Sequence, residues 1–275
     1  MSEYKTTIEG ISGETELCFE KLAVLAEHFG TGDGLFGFLG AEIHSRAEYF
    51  EAAENFRRRM LFDLAERGVH FESFDGVVIS PFARIAAGAV IGASTQIKSG
   101  VCIGAGSKIG PMSIIEDASI GCNCEILATK VLSSVIEDNV KIGPYCNIRP
   151  NCTIKSGVKI GDFVEVKNSV LGADTHASHL TYIGDSDVGA RVNFGCGVVT
   201  VNYNGKTKAR TVIGDDVFVG CNSNLVAPLE IENDAYIAAG STLTNTVPSG
   251  ALAVARARQV NIEGWVDKNR DRIKK

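Results

Sequence analysis

Aliphatic residues return every six positions along much of the chain. Ile79, Ile85, Ile91, Ile97, Ile103, Ile109 and Ile115 form one run, Ile136, Ile142, Ile148, Ile154, Ile160 and Val166 a second, and Ile213, Val219, Leu225, Ile231, Ile237 and Leu243 a third. A helix repeats at about 3.6 residues and a strand at about two, so neither alone produces this beat. Four residues after most of these positions stands a small or apolar residue, among them Ala83, Ala89, Thr95, Ser107, Cys146, Cys152, Val158, Val217, Ser223 and Ala235. The pattern predicts an all-β solenoid, a parallel β-helix of hexapeptide repeats. Each hexad supplies one short strand and a bend, and three hexads, about eighteen residues, close one triangular coil. Stacked coils lie about 4.8 Å apart, so the aliphatic residues form inward columns and the Gly, Asp and Asn residues take the bends. Six-residue repeats of this kind wind left-handed; the handedness comes from the fold, not from the period.

Residues 1–75 lack the beat. An amphipathic stretch runs from Glu14 to His28, and a longer helical pattern from Ser45 to Arg67, with Ser45 as its cap and Glu48 completing a capping box. Between them GTGDGLFGFLG, Gly30 to Gly40, has neither a flanking strand nor a nearby cation, and reads as a turn rather than a phosphate loop. Arg57, Arg58 and Arg59 read as a solvated face. The expected organisation is an N-terminal helical region over 1–75, the β-helix over 76–250 and a C-terminal tail over 251–275.

Thirty glycines and 45% hydrophobic residues in 275 suit a solenoid rich in bends. The opening MSEYKTTIEG has neither a basic n-region nor an apolar h-region, which predicts a cytoplasmic protein. A net charge of -6 argues against nucleic-acid and anionic-membrane partners, so an anionic ligand must be met by a local cluster of cations. The eight cysteines are scattered; Cys122 and Cys124 form a C-x-C without a second pair, and His176 and His179 an H-x-x-H without a third ligand. Neither disulfides nor a metal is expected.

Chemistry is expected where the beat fails, since stacked aliphatics offer no functional groups. The next inward residue after Val166, Val188, is 22 residues on rather than 18, which predicts about four extruded residues within SVLGADTHASHLTYIGD, carrying His176, His179 and Tyr182. A second failure, between Thr200 and Ile213, predicts a projecting loop. Arg149 follows inward Ile148 and Lys167 follows inward Val166, so the two cations should stack one coil apart. Like charges across adjacent strands repel, which makes sense if a phosphate bridges them. The plainer alternative is two surface cations splayed into water, with Glu165 relieving the repulsion.

From about Ile142 to Trp265 the words NIRPNCTI, GDFVEVKNS, ASHLTYIGD, VNFGCGVVTVNYNGKTKART, IGDDVFVGCNSNLVAP and IAAGSTLTNTVPSGALAVARARQVNIEGW closely resemble the C-terminal acetyltransferase domain of the bifunctional GlmU enzymes, which acetylate and then uridylate glucosamine-1-phosphate. The resemblance implies acetyl-CoA as co-substrate, an amino-sugar phosphate as acceptor and a homotrimer with acetyl-CoA in a groove between two β-helices. It implies His179 as general base, Arg149, Lys167 and Tyr182 at the sugar phosphate, and Glu165 beside them. Asn193 would hold the sugar, Asn202 and Tyr203 would line the acceptor pocket, and Lys208 would reach in from the loop. Cys221, Ala239 and Arg256 match positions that contact acetyl-CoA. An imidazole is mostly neutral at neutral pH and can take the proton that an amine sheds on attacking a thioester.

Three departures stand beside the likeness. Nothing matches the family's N-terminal uridyltransferase domain, so uridyl transfer is not expected, and a separate uridyltransferase is a candidate partner. Cys221 stands where the family has Ser, and Asn204 where it has Asp. Two other readings are open at this stage: an acyltransferase of the same fold with another acceptor, and a non-catalytic β-helix scaffold.

Overall fold

The computed structural model describes residues 45–273. Strands of two to four residues rotate in turn through three parallel sheets of eleven, ten and nine strands, each strand pairing with the third one after it. Val90–Ile91 pairs with Lys108–Ile109, and that with Glu125–Ile126, so inward residues stack in register. Ile91, Ile109, Ile126, Ile142 and Ile160 form such a column on the first sheet, Ile97, Ile115, Val131, Ile148 and Val166 on the second, and Ile103, Ile120, Ile136, Ile154 and Leu171 on the third, all buried. Each such side chain contributes about 1.5–3 kcal/mol by leaving water. The small residues at the bends close the polar groups there: Ser107 Oγ donates to the Gly121 carbonyl at 2.7 Å, and Cys146 Sγ to that of Gly161 at 2.7 Å.

The stretch from Val166 to Val188 is not extruded. Val166 pairs with Ile183 and Leu171 with Val188, so the inward residues are Val166, Leu171, Ala177, Ile183 and Val188, at spacings of five, six, six and five. The five-residue bends turn on Asn168 at φ 46° and Asp185 at φ 50°, the left-handed region that Asn and Asp enter more readily than other side chains. Similar short bends join Ile115 to Ile120 and Val131 to Ile136, where the six-residue beat also lapses. His176–His179 and Tyr182–Gly184 are therefore ladder strands. The second interruption is a loop as expected. Tyr182 pairs with Val199, 17 residues on, but Val199 pairs with Asn224, 25 on, and the excess projects as a hairpin in which Tyr203 and Lys208 pair antiparallel.

Helix α1 (Arg46–Glu66) begins at Ser45, whose Oγ accepts from the Glu48 N–H at 3.2 Å. It buries Met60, Leu61 and Leu64 in the same apolar core as Val77 and Ile79 of the first coil. Arg57 is not part of a solvated face: its Nη1 donates to the carbonyls of Val77 at 2.8 Å and Phe74 at 3.2 Å, while its other nitrogens pair with Glu54. The helix is thus pinned over the first coil. The expected Glu14–His28 stretch and the Gly30–Gly40 turn lie outside the described residues. The last strand is Leu252–Ala253, after which α2 (Trp265–Lys268) and α3 (Arg270–Ile273) carry no buried residue. Among the described residues no helix is long and apolar enough to cross a membrane, the seven cysteines are unpaired, and no cluster of metal-ligating side chains occurs.

Candidate active site

The second sheet brings the expected cations together. Ile148 pairs with Val166, so Arg149 and Lys167, one residue further on, occupy the same outward step of adjacent coils. The next coil places Gly184 there. A Cβ on Gly184 would lie 2.3 Å from the Tyr182 hydroxyl, so the absence of a side chain lets the Tyr182 ring lie along its own strand toward Lys167. Glu165, in register with Tyr182, pairs with Arg149 at 2.9 Å. From above, the hairpin delivers Lys208 beside Lys167, and the Lys167 ammonium holds Lys208 below the ordinary lysine range while Asp185 and Tyr182 pull it back up. Arg149, Lys167, Tyr182 and Lys208 therefore face one place.

The hairpin is shaped by its own side chains. Asn204 Oδ1 accepts from the N–H groups of Lys206 at 2.9 Å and Thr207 at 2.8 Å, and Gly205 sits at φ 92°. An amide oxygen suffices for this turn, so Asn204 in place of Asp keeps the fold of the loop. Tyr203 is exposed and its hydroxyl donates to the Gly205 carbonyl at 2.7 Å, along the hairpin. Arg210 pins the returning strand by pairing with Asp187 at 2.5 Å and donating to the Asn168 carbonyl at 3.2 Å. Beneath, Thr200 takes an inward position that elsewhere holds an aliphatic residue, and its hydroxyl accepts from the Gly184 N–H at 2.7 Å.

Asp185, which the six-residue count hid, lies at the centre of this arrangement. It is 5% exposed, and its two carboxylate oxygens accept from Asn168 Nδ2 at 2.6 Å and Asn202 Nδ2 at 2.5 Å. The same Asn202 amide lies 3.4 Å from the Tyr182 hydroxyl. Burial pushes the Asp185 carboxyl up, but the two amides and the charges of Lys167 and Lys208 outweigh it and hold it below the ordinary carboxylate range.

His179 stands at the corner between the first and second sheets, exposed, and among the described residues its imidazole has no hydrogen-bond partner in this chain. Asp162 pairs with His179, and His176, Asn193, Phe218 and Tyr236 pair in sequence. Three residues past each of the last four lie His179, Cys196, Cys221 and Ala239, which share one corner step on successive coils. At about 4.8 Å per coil this edge runs about 14 Å. A Cβ on Gly240 would lie 3.6 Å from Arg256 Cδ, so the Arg256 side chain rests over Gly240 beside Ala239, at the end of the edge. Asn193 lies on the outward face of the first sheet, around the corner from the cations, and a single chain does not bring it to them. Cys196 joins the edge because a 25-residue coil separates it from Cys221, a place on the edge that counting by six does not reveal.

The family described as bacterial transferase hexapeptide (six repeats) matches residues 133–168 and 210–245. The bifunctional protein GlmU of Caldicellulosiruptor saccharolyticus is 50% identical over 224 residues, covering 82% of this chain and 48% of that protein. That of Thermoanaerobacter pseudethanolicus is 50% identical over 233 residues, covering 85% and 50%. Among solved structures, an Arabidopsis UDP-N-acetylglucosamine acyltransferase aligns over 70% of this chain and 75% of that one, with 21% identity and a TM-score of 0.45. The chain spans about half the length of the curated relatives it matches. With the identities to the two GlmU proteins added to the repeats and the motifs around His179 and the hairpin, the chain belongs to the hexapeptide-repeat acyltransferases, as a relative of the C-terminal acetyltransferase region of GlmU.

Proposed function

We propose that the protein transfers the acetyl group of acetyl-CoA to the amine of glucosamine-1-phosphate, giving N-acetylglucosamine-1-phosphate, a step toward UDP-N-acetylglucosamine. The convergence of Arg149, Lys167, Tyr182 and Lys208 on one outward face carries the reading. Two ammonium groups held side by side repel, and a phosphate dianion is the ligand that turns this repulsion into attraction. The edge of small side chains from Cys196 to Ala239, ending at Arg256, suits the long pantetheine arm and phosphates of coenzyme A. The acceptor amine attacks the thioester carbonyl, His179 takes the amine proton, the C–N bond forms, the C–S bond breaks and coenzyme A leaves as its thiol after protonation.

In this reading Glu165 keeps the Arg149 guanidinium in place, and Asn202 and Tyr203 line the acceptor pocket. Asn193 faces another way within one chain, so the complete site needs a neighbouring copy, which accords with a homotrimer. Lys167→Ala tests the phosphate assignment. The expected result is a rise of tenfold or more in KM for glucosamine-1-phosphate, about 1.4 kcal/mol, with KM for acetyl-CoA within about twofold of the parent. Equal KM values for the acceptor in the two proteins would remove the phosphate from this face.

A further inference from the structure

We infer that Asp185 is a positioning residue of the acceptor site, a buried carboxylate that holds Lys167 and Lys208 together so that they meet the phosphate in a fixed geometry. The inference rests on the acceptor reading above. Asp185 lies beneath the site and touches no substrate, but every group it binds leads to one that does. Its N–H donates to the Lys167 carbonyl at 2.9 Å, and its carbonyl accepts from the Thr211 N–H, at the foot of the hairpin, at 3.2 Å. One carboxylate oxygen takes the amide of Asn168, the residue after Lys167; the other takes that of Asn202, the residue that opens the hairpin carrying Lys208. The Asn202 carbonyl in turn accepts from the Ala209 N–H at 3.0 Å, next to Lys208. Asp185 thus joins the strand bearing one lysine to the loop bearing the other.

The charge is as important as the bonds. Lys167 and Lys208 come together before any anion arrives, and in that state their repulsion must be offset from within the chain. Glu165 is engaged with Arg149, and Asp187 with Arg210. Asp185 is the buried carboxylate that faces both lysines. Being buried behind them, it offsets their charges without competing with the phosphate for their hydrogen bonds.

Asp185→Asn removes the charge and one of the two acceptor oxygens while keeping the shape, and Asn accepts the left-handed backbone at φ 50°. Asn168→Gly removes one of the two amides at a position whose φ of 46° glycine also accepts, and leaves the lysines and Asn202 untouched. In the full chain the expected outcome for Asp185→Asn is a rise of tenfold or more in KM for glucosamine-1-phosphate, with KM for acetyl-CoA and the residual rate on unphosphorylated glucosamine within about twofold. Asn168→Gly should show a smaller rise of the same selectivity, on the order of threefold. Isothermal titration with inorganic phosphate provides a readout independent of turnover and should weaken in the same order. A folded Asp185→Asn protein with unchanged acceptor KM and phosphate affinity would overturn the inference. So would parallel loss for both substrates that tracks a lowered Tm, since that marks a purely structural role; should Asp185→Asn not fold, an unselective Asn168→Gly would do the same. If the parent itself shows no preference for the phosphorylated sugar, the acceptor reading fails instead, and the two failures are distinguishable.

Discussion

At the residue scale, exposure separates the groups that act from those that hold the fold. His179 is exposed and, among the described residues, its imidazole has no hydrogen-bond partner, so His179→Ala should leave Tm within a degree or two while kcat falls by about 10²–10⁴, the usual worth of a general base. Thermal unfolding beside steady-state rates checks both halves. The cysteines divide the same way. Burial pushes the thiols of Cys124, Cys146 and Cys152 up, whereas Cys221 is exposed on the corner edge. A thiolate reagent at pH 8, followed by peptide mass mapping, should label Cys221 first and those three only on unfolding. Acetyl-CoA should slow the Cys221 reaction; labelling of Cys221 at an unchanged rate would separate it from the donor site. Asp185 gives a pH dependence. Its carboxyl is depressed in the folded chain, so its contribution is present above the unfolded value near pH 4 and is lost as pH falls through the lower folded value. Asp185→Asn should accordingly flatten the fall of Tm below about pH 4.

At the element scale, the strands and their faces were legible and the length of the bends was not. The inward columns and the outward pairing of Arg149 with Lys167 follow from a period of six, because side chains alternate faces along each strand, and the projecting loop follows from the failure of that period after Thr200. The shortened coils did not follow. A bend that sheds one residue through Asn168 or Asp185 preserves every inward contact but shifts the count, and the inward Ala177 is too small to mark the place. Four residues seemed extruded as a result, and Asp185 escaped notice as a bend residue. Arg57 was misread for a related reason: its three hydrogen-bonding nitrogens reach two carbonyls of a coil 17 to 20 residues away and one glutamate nearby, and helical spacing alone shows only the glutamate. Arg57→Ala should loosen α1 from the first coil, with amide exchange accelerating between Phe56 and Glu66 before the coils around Ile148 respond; about 1.5–3 kcal/mol is the scale of such a charged hydrogen bond. Leu61→Ala, at a fully buried site in the same helix, should cost about 2–5 kcal/mol.

At the scale of the whole molecule, a solenoid offers long faces and corners rather than a closed pocket. The cation face, the corner edge of His179 and the outward Asn193 point in different directions on one chain. An assembly in which a neighbour completes each site reconciles them. Co-expressing Asn193→Ala with Lys167→Ala chains tests this: if the two residues come from different copies, mixed trimers should recover about a quarter of the parental activity by random assembly, and if from one copy, none.

The central claim is that this β-helix acetylates a phosphorylated amino sugar. The most direct measurement is thiol release from acetyl-CoA with glucosamine-1-phosphate, glucosamine-6-phosphate and glucosamine in parallel, using the parent and His179→Ala proteins. The account predicts rapid turnover with the 1-phosphate, far slower turnover with the other two sugars, and loss of all three rates in the variant. Equal rates on the three sugars, or turnover that survives His179→Ala, would contradict it.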